Sequence, residues 1–474
     1  MKKRKSLTIA GAGLMVAVLA VVIGSLCSSL FWGNRQRPIE NAAQIYTDAI
    51  ENIQSSANLS YTVTQTKEQV IGSESFHLES KQQVTFTQLQ TADFRGSVNE
   101  TMKAGGHTVS LCETFANGMG YFTVENTCFT NKLSKAAYLA RQIPAVTATP
   151  SLYSSITGYK QNGSFVILLE QGSAPESWSK AEGLDFISSG ATVTINQNGQ
   201  LEKTVYSATY SESGSNIFLS VTVELNPWED TVISPPEGPF TPIDDPDIPR
   251  MLEIACGYLL ESQSITSQYQ DRIHCQAFGD LRTQTITLTA VNSDMWASLT
   301  ETLTTVENTG NIGAGSTLAK KELYKGGVLK TVVDGIEQSI TQPDAQTIQT
   351  RCQDILVGTI ILPQYIEAAT IVEDTDTYRI EFSANETFSA LLGDEACVTL
   401  YQNTQILLEH ADDYTADTTC YLTIYKNSGL PVSSGFQYVG VYTMDGLPYR
   451  MEFSADQQYD LLYDTAYQTI EAGA

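Results

Sequence analysis

The chain has 474 residues, 42% of them hydrophobic, and a formal net charge of −26 at pH 7. Setting aside the four bases Lys2 to Lys5 leaves 23 Lys and Arg against 53 Asp and Glu, a balance of −30. That balance excludes nucleic acid, which needs a basic footprint, and tight adsorption to anionic lipid. The length accommodates two units of about 200 residues, each able to bury a full core.

The chain opens with the basic head Met1-Lys2-Lys3-Arg4-Lys5. Ser6 to Gly33 then carry no charge, and Leu14 to Ile23 are almost wholly apolar. About 20 apolar residues span a bilayer as a helix. The expected organisation is a cytoplasmic head at 1–6 and a transmembrane helix at 7–32, with Trp32 at the far interface and the rest of the chain outside a cell membrane. A cleaved signal peptide needs a small-x-small site. Ser25-Leu26-Cys27 fits that poorly, so the anchor is expected to be uncleaved.

Ala42, Ile45, Tyr46, Ala49, Ile50 and Ile53 recur at helical spacing and predict a helix over 42–55. Strands follow, with Tyr61 and Val63 alternating with threonines, then Val84 and Phe86. This is the mark of a sheet with one face buried and one face wet. Residues 113–122 read Glu-Thr-Phe-Ala-Asn-Gly-Met-Gly-Tyr-Phe. Asn117-Gly118 is a hairpin turn signal. A helix over 134–142 stops before Pro144. A strand at 165–169, a polar excursion at 175–188 and a strand meander from Val193 to Leu225 complete the first unit, 40–226.

Residues 227–249 hold seven prolines separated by acids, as in Asp244-Asp245-Pro246-Asp247. Proline fixes φ and lacks a donor, so an extended, semi-rigid spacer is expected. An acidic calcium loop would also need a glycine and a bidentate glutamate that this segment lacks.

The second unit, 250–470, repeats the first. A helix over 251–262 carries the stripe Leu252, Ala255, Tyr258 and Leu259. Ile286 and Leu288 alternate with threonines. Glu322-Leu-Tyr-Lys-Gly-Gly-Val at 322–328 echoes the earlier hairpin at an offset near 209. A helix over 344–356 and a strand at 378–382 follow. An excursion at 385–411, about 17 residues longer than its counterpart, precedes the closing strands from Leu422 to Phe453. The chain is therefore expected to be a tandem duplication.

Little in it points to chemistry. His77, His107, His274 and His410 are scattered, and adjacent His274 and Cys275 point to opposite faces of a strand. Neither metal nor cofactor is expected. Ser177-Trp178-Ser179-Lys180 matches Ser-x-x-Lys but lacks the Lys-Thr-Gly and Ser-Asp-Asn partners. Gly310 to Thr317 resembles a phosphate cradle, with Gly315 where the lysine must stand. Glu113 and Glu322 occupy matching positions and read either as an acid site or as solvated strand residues. Cys112 and Cys128 lie about 13 Å apart on a hairpin register, beyond disulfide reach. The cysteines do not match between the repeats, so mostly free thiols are expected. No catalytic residue is assigned, and the chain is expected not to be an enzyme.

The order of elements, the pattern aromatic-x-Asn/Lys-Gly (Phe115 to Gly118, Tyr324 to Gly327) and Ser-Gly-Leu-Pro at 428–431 resemble the LolA/LppX-like superfamily of bacterial envelope lipid carriers and sensors. The resemblance implies an α+β fold: two tandem domains, each a curved antiparallel sheet with helices on its concave face. It also implies a hydrophobic cavity for a lipid or other apolar ligand. Phe115, Tyr121, Tyr324, Tyr378, Phe382 and Tyr449 are the aromatics expected to line it. The alternative is an envelope sensor or protein-interaction scaffold built from two copies. A large apolar gap between sheet and helix favours carriage; a filled one favours the scaffold.

Overall fold

The computed structural model describes residues 37–461 apart from 72–73, 105–106, 125, 143–152, 173–184, 213–214, 228–230, 263, 292–294, 308–313, 409–412, 427 and 445. The expected anchor at 7–32 lies outside these residues. Among them, no helix is long and apolar enough to cross a membrane.

Two large sheets carry the fold. The first contains β1 (Arg37–Pro38), β2 (Leu59–Ile71), β3 (Glu74–Thr87), β4 (Arg95–Ala104), β5 (His107–Ala116), β6 (Met119–Val124), β7 (Thr127–Lys132), β8 (Tyr153–Gln161), β9 (Ser164–Gly172), β10 (Asp185–Ile195), β11 (Leu201–Glu212), β12 (Ser215–Leu225) and β13 (Thr241–Pro242). The second contains β14 (Ser264–Cys275), β15 (Gly279–Val291), β16 (Trp296–Glu307), β17 (Ala314–Lys325), β18 (Val328–Val333), β19 (Ile336–Thr341), β20 (Ile366–Glu373), β21 (Thr377–Ala384), β22 (Asp413–Tyr425), β23 (Pro431–Met444) and β24 (Leu447–Asp460). The first sheet runs β1-β8-β9-β10-β11-β12-β2-β3-β4-β5-β6-β7-β13, and the second β20-β21-β22-β23-β24-β14-β15-β16-β17-β18-β19 when read from its other edge. Setting aside the two-residue strands β1 and β13, both orders are the same eleven-strand arrangement.

Local chemistry explains the shared pattern. Strands such as β4 alternate strictly between buried and open positions, the period a half-buried strand requires. The β5–β6 turn places Asn117 and Gly118 at φ 55 and 76, and the β17–β18 turn places Gly326 and Gly327 at φ 59 and 80. Two successive left-handed residues are what a two-residue hairpin demands.

Among the described residues the α-helices are α1 (Ala42–Gln54), α2 (Lys135–Gln142), α3 (Ile248–Glu261), α4 (Ala345–Val357) and α5 (Glu386–Thr404). α1 buries Ala42, Tyr46, Ala49, Ile50 and Ile53 on one stripe. Asp344 and Asn385 cap α4 and α5 through their side chains, accepting from the backbone N–H of Thr347 and Phe388, which satisfies otherwise orphaned donors.

The expected α+β arrangement, with each sheet closed by its own helices on a concave face, is not what the chain adopts. The fold is mostly β, and its helices are not apportioned one set to each sheet. The reason lies in α3. Although it opens the second repeat, it packs on β4 and β5 of the first sheet and also meets β23 and α4. Gly257 presses so closely on Ala104 that a Cβ there would collide with the Ala104 methyl group. Phe76 of β3 meets Tyr258 edge-on at 5.7 Å. Lys67 of β2 donates to the Ser428 carbonyl at 3.0 Å. One apolar cluster consequently runs from Phe76, Met102 and Phe122 through Leu252 and Tyr258 to Ile380, Phe382 and Phe453. A second cluster holds α1, α2 and the other half of the first sheet.

The proline-rich segment is pinned along part of its length. β13 pairs in parallel with β7, and the Ile243 N–H donates to the Thr130 carbonyl. On its other side, Ile243 forms a bridge with Ala369 of β20, and the Asp244 N–H donates to the Ala369 carbonyl. This short extended segment therefore stitches the edges of the two sheets together.

Candidate functional site

The matching acids Glu113 and Glu322 are neither solvated nor free. Their relative exposures are 4% and 7%, and each meets an arginine from the helix that follows its hairpin. Arg141 of α2 donates to Glu113 Oε1 at 2.7 Å, and Arg351 of α4 donates to Glu322 Oε2 at 2.5 Å. Lys320 adds a second cation beside Glu322 at 3.1 Å. The two repeats thus share a buried Glu–Arg pair.

In the first repeat the pair has grown into a cluster. Arg141 also donates to Asp247 Oδ1 at 2.6 Å, and Arg250 donates to the same oxygen at 2.9 Å. Arg250 Nε and Nη2 both reach Glu100 Oε2, at 2.9 and 2.6 Å. Ser80 donates to Glu100 Oε1 at 2.6 Å. Five charged side chains therefore tie β4, β5, α2 and α3 together. Burial pushes the Glu100 carboxyl up, but the Arg250 charge and hydrogen bonds from Ser80, Arg250 and Gln82 outweigh it, so its pKa is lowered overall. Glu322 is likewise lowered: burial opposes ionisation, and bonds from Arg351 and Lys320 overcome it.

A carboxylate whose folded pKa lies below its unfolded value, about 4.3 for glutamate, stabilises the fold above that value. The contribution disappears as the pH falls through the folded pKa. Denaturant midpoints measured between pH 7 and pH 3 should therefore be level at first and decline below about pH 4. In Glu100→Gln the part of that decline due to this clasp should be missing.

Two gaps beneath helices, under α3 and under α4, are nearly filled. The gap bounded by Val98, Glu113, Phe122, Pro249 and Arg250 measures ≈ 20 Å³, and that bounded by Leu288, Tyr324, Leu329, Ile348 and Ile355 also measures ≈ 20 Å³. Each is about one water in size. A buried polar network closes α4 onto the second sheet. Gln457 donates to the Ile355 carbonyl at 3.0 Å and to Ser267 at 2.7 Å, and Tyr459 donates to the Leu356 carbonyl at 3.0 Å. The bond to Leu356 occupies a carbonyl that the end of α4 would otherwise leave open, and the Ile355 carbonyl also accepts from the Gly358 N–H.

The larger hollows lie on the opposite, solvent-facing sides of the sheets. One of ≈ 490 Å³ crosses β3 to β6 and is lined by Lys81, Gln83, Asn99, Thr101, Ser110 and Thr123. Another of ≈ 570 Å³ crosses β20 to β24, with Arg379, Glu381, Thr419, Tyr421, Gln437 and Asp456 along it.

The six aromatics expected to bind an apolar ligand stand in different surroundings. Phe115 stacks on Tyr138 at 4.9 Å inside the first sheet's core. Tyr121 lies against Phe240 of the proline-rich segment at 5.3 Å. Tyr324 borders the gap under α4. Tyr378 packs beneath the Lys426 ammonium. Phe382 is buried and backs the outer trough of the second sheet. Tyr449 stacks with Phe278 at 6.5 Å. Arg141, Asp247, Arg250 and Glu100 carried no local motif; the one available signal was that Arg141 and Arg351 recur within one residue of the offset of the two glutamates.

The other candidates stay separate. His77, His107 and His274 each pair with a carboxylate, Glu79, Glu253 and Asp280. Cys275 is buried while His274 is partly open. Among the described residues, no three His, Cys, Asp or Glu side chains are grouped to hold a metal. Cys112 and Cys128 both face Thr123 from opposite sides of β6, and no disulfide joins any of the seven described cysteines. Ser177 to Lys180, His410 and residues 310–313 lie outside the described residues.

No known family's sequence profile matches the chain, and no curated protein matches it. Among solved structures, LprF from Mycobacterium bovis aligns with a TM-score of 0.30 and 14% identity over 42% of this chain and 99% of its own. An AttH protein from Nitrosomonas europaea aligns at 0.13 and 7% identity, covering 84% of this chain and 92% of its own. The translocator domain of the autotransporter NalP from Neisseria meningitidis gives 0.10 and 6%, covering 93% and 99%. None of these scores reaches the level at which two chains share a fold.

Proposed function

We propose that the chain is a non-catalytic envelope protein, anchored by residues 7–32, that engages a polar ligand or partner on the solvent-facing sides of its two sheets. The observation that carries this reading is the distribution of space: ≈ 490 and ≈ 570 Å³ outside, against ≈ 20 Å³ in each of two gaps beneath the helices. Ligand sites are concave and run to several hundred cubic ångströms. The non-catalytic reading is supported by the buried carboxylates. Glu100, Glu113 and Glu322 are each held by arginine in spaces too small for a substrate. A lipid between α4 and the second sheet would require α4 to lift off that sheet and break the bonds from Gln457 and Tyr459.

A photo-crosslinking side chain placed in cells at Thr123 or Gln437, on the outer faces, should capture a defined partner. The same group at Ile355, facing the gap, should capture none. A discrete lipid adduct from position 355, with nothing from the outer positions, would overturn the proposal.

A further inference from the structure

The trough across β20 to β24 is built rather than incidental. Register aligns Thr370, Glu381, Tyr421, Gly435 and Asp456 in one row across five strands, and Ala368, Ser383, Thr419, Gln437 and Ser454 in the next. At about 4.8 Å per strand the rows extend roughly 19 Å. The row closes over a missing side chain: a Cβ on Gly435 would lie 2.7 Å from Tyr421 Cε1. With only hydrogen there, the Tyr421 ring lies down over the backbone.

Arg379 then covers the ring, its guanidinium carbon 3.9 Å from the ring centre. Arg379 Nε is held by Glu381 Oε1 at 3.1 Å, which fixes the fork, and Tyr421 donates to Asp456 Oδ1 at 2.7 Å. Burial and then the bond to Asp456 push the Tyr421 phenol up to about 12, so it remains a neutral donor. The polar groups are thus held in place by packing and by one another, which lowers the ordering cost of binding.

The chemistry of the lining selects a ligand class. One guanidinium supplies donors, two carboxylates supply acceptors, and Gln437, Ser383, Thr419 and Ser454 supply both. The charged groups sum to −1, in a chain of −26, so an anionic ligand is disfavoured. An apolar ligand would leave the polar groups desolvated and unpaired. A neutral chain rich in vicinal hydroxyls satisfies donors and acceptors alike, and its length can run along the rows.

We infer that the trough across β20 to β24 binds a neutral oligosaccharide, with Arg379, Asp456 and Gln437 as its polar contacts and the Tyr421 ring as the support that holds the Arg379 fork in place. This rests on the outer-face reading above and names the ligand class for one of the two faces.

The test is calorimetric titration of the full chain in detergent with cellohexaose, chitohexaose and maltohexaose, and with an uncharged decapeptide as control. At least one saccharide should bind, and Arg379→Gln and Asp456→Asn should each weaken it about tenfold or more, the loss expected for one charge-assisted hydrogen bond. Gln437→Ala, a truncation on an open strand face, is a third variant less exposed to folding defects. Glu51→Gln, on the exposed side of α1 and outside both troughs, should leave the affinity unchanged. Failure of all three saccharides, or equal binding by wild type and the three trough variants, would overturn the inference. Binding of the decapeptide alone, or a protein partner crosslinked at Gln437 without saccharide binding, would also overturn it while leaving the outer-face reading in place. Failure of that broader reading would show separately, as a lipid adduct at position 355.

Discussion

Replacing Arg250 with alanine should cost about 3–5 kcal/mol of folding stability, the usual penalty for stranding one partner of a buried ion pair. Glu100 would keep Ser80 but lose both bonds from Arg250, and its side chain is only 2% exposed. Asp247 would lose one of its two arginines. The effect should reach beyond one pair, because Arg250 stands on α3 and Glu100 on β4, so the pair fixes the second repeat's first helix on the first repeat's sheet. Equilibrium urea unfolding, followed by tyrosine fluorescence, measures the change. Glu100→Gln with Arg250→Met is the informative companion, since replacing a buried ion pair by groups without charge is often close to neutral. If Arg250→Ala shifts stability by less than about 1 kcal/mol, the clasp does not hold the repeats together.

The second large effect is expected at Tyr138. The ring is fully buried, stacked on Phe115 at 4.9 Å and close to Phe94 and Phe86 at 5.9 and 6.1 Å. Its edge rests where a side chain at position 96 would stand, and Gly96 leaves that space open. Tyr138→Ala should therefore cost about 3–5 kcal/mol, the range for emptying a large aromatic site in a packed core. Tyr138→Phe should behave oppositely. The hydroxyl is buried and, among the described residues, has no hydrogen-bond partner, so its removal should be neutral or stabilising by about 1 kcal/mol. The same urea titration reads both. A large loss in Tyr138→Phe would mean that the hydroxyl has a partner after all.

Much of the local structure was legible because it follows from periodicity and turn chemistry. The stripe from Ala42 to Ile53 is α1, the expected helix over 344–356 is α4 within a residue, and the long excursion at 385–411 contains α5. The echo between Glu113 and Glu322 marked a real equivalence, since both acids meet an arginine from the same element of their repeat. What periodicity cannot say is which surface covers an apolar stripe. Leu252, Ala255, Tyr258 and Leu259 mark α3 as amphipathic, yet nothing in their spacing tells that β4 and β5 of the other repeat, rather than the helix's own sheet alone, would lie against it. The α+β expectation failed at that point.

The same limit hid the clasp. Glu100, Glu113, Arg141, Asp247 and Arg250 are spread over 150 positions and meet only because α3 crosses between the sheets. Strand alternation told wet faces from dry ones, but it carries no information on whether a gap is filled. The proline content of 227–249 pointed to an extended segment; its pairing with β7 and Ala369 depended on both sheet edges being brought alongside it.

Native mass spectrometry of the full chain released from membranes separates the two states, because a filled helix–sheet gap and a lipid-filled one differ in mass. A ligand-free mass is expected once detergent is stripped, with no stoichiometric gain on adding membrane lipids. A lipid retained at one or two copies per chain, and lost when Ile355 is replaced by a bulkier residue, would contradict it.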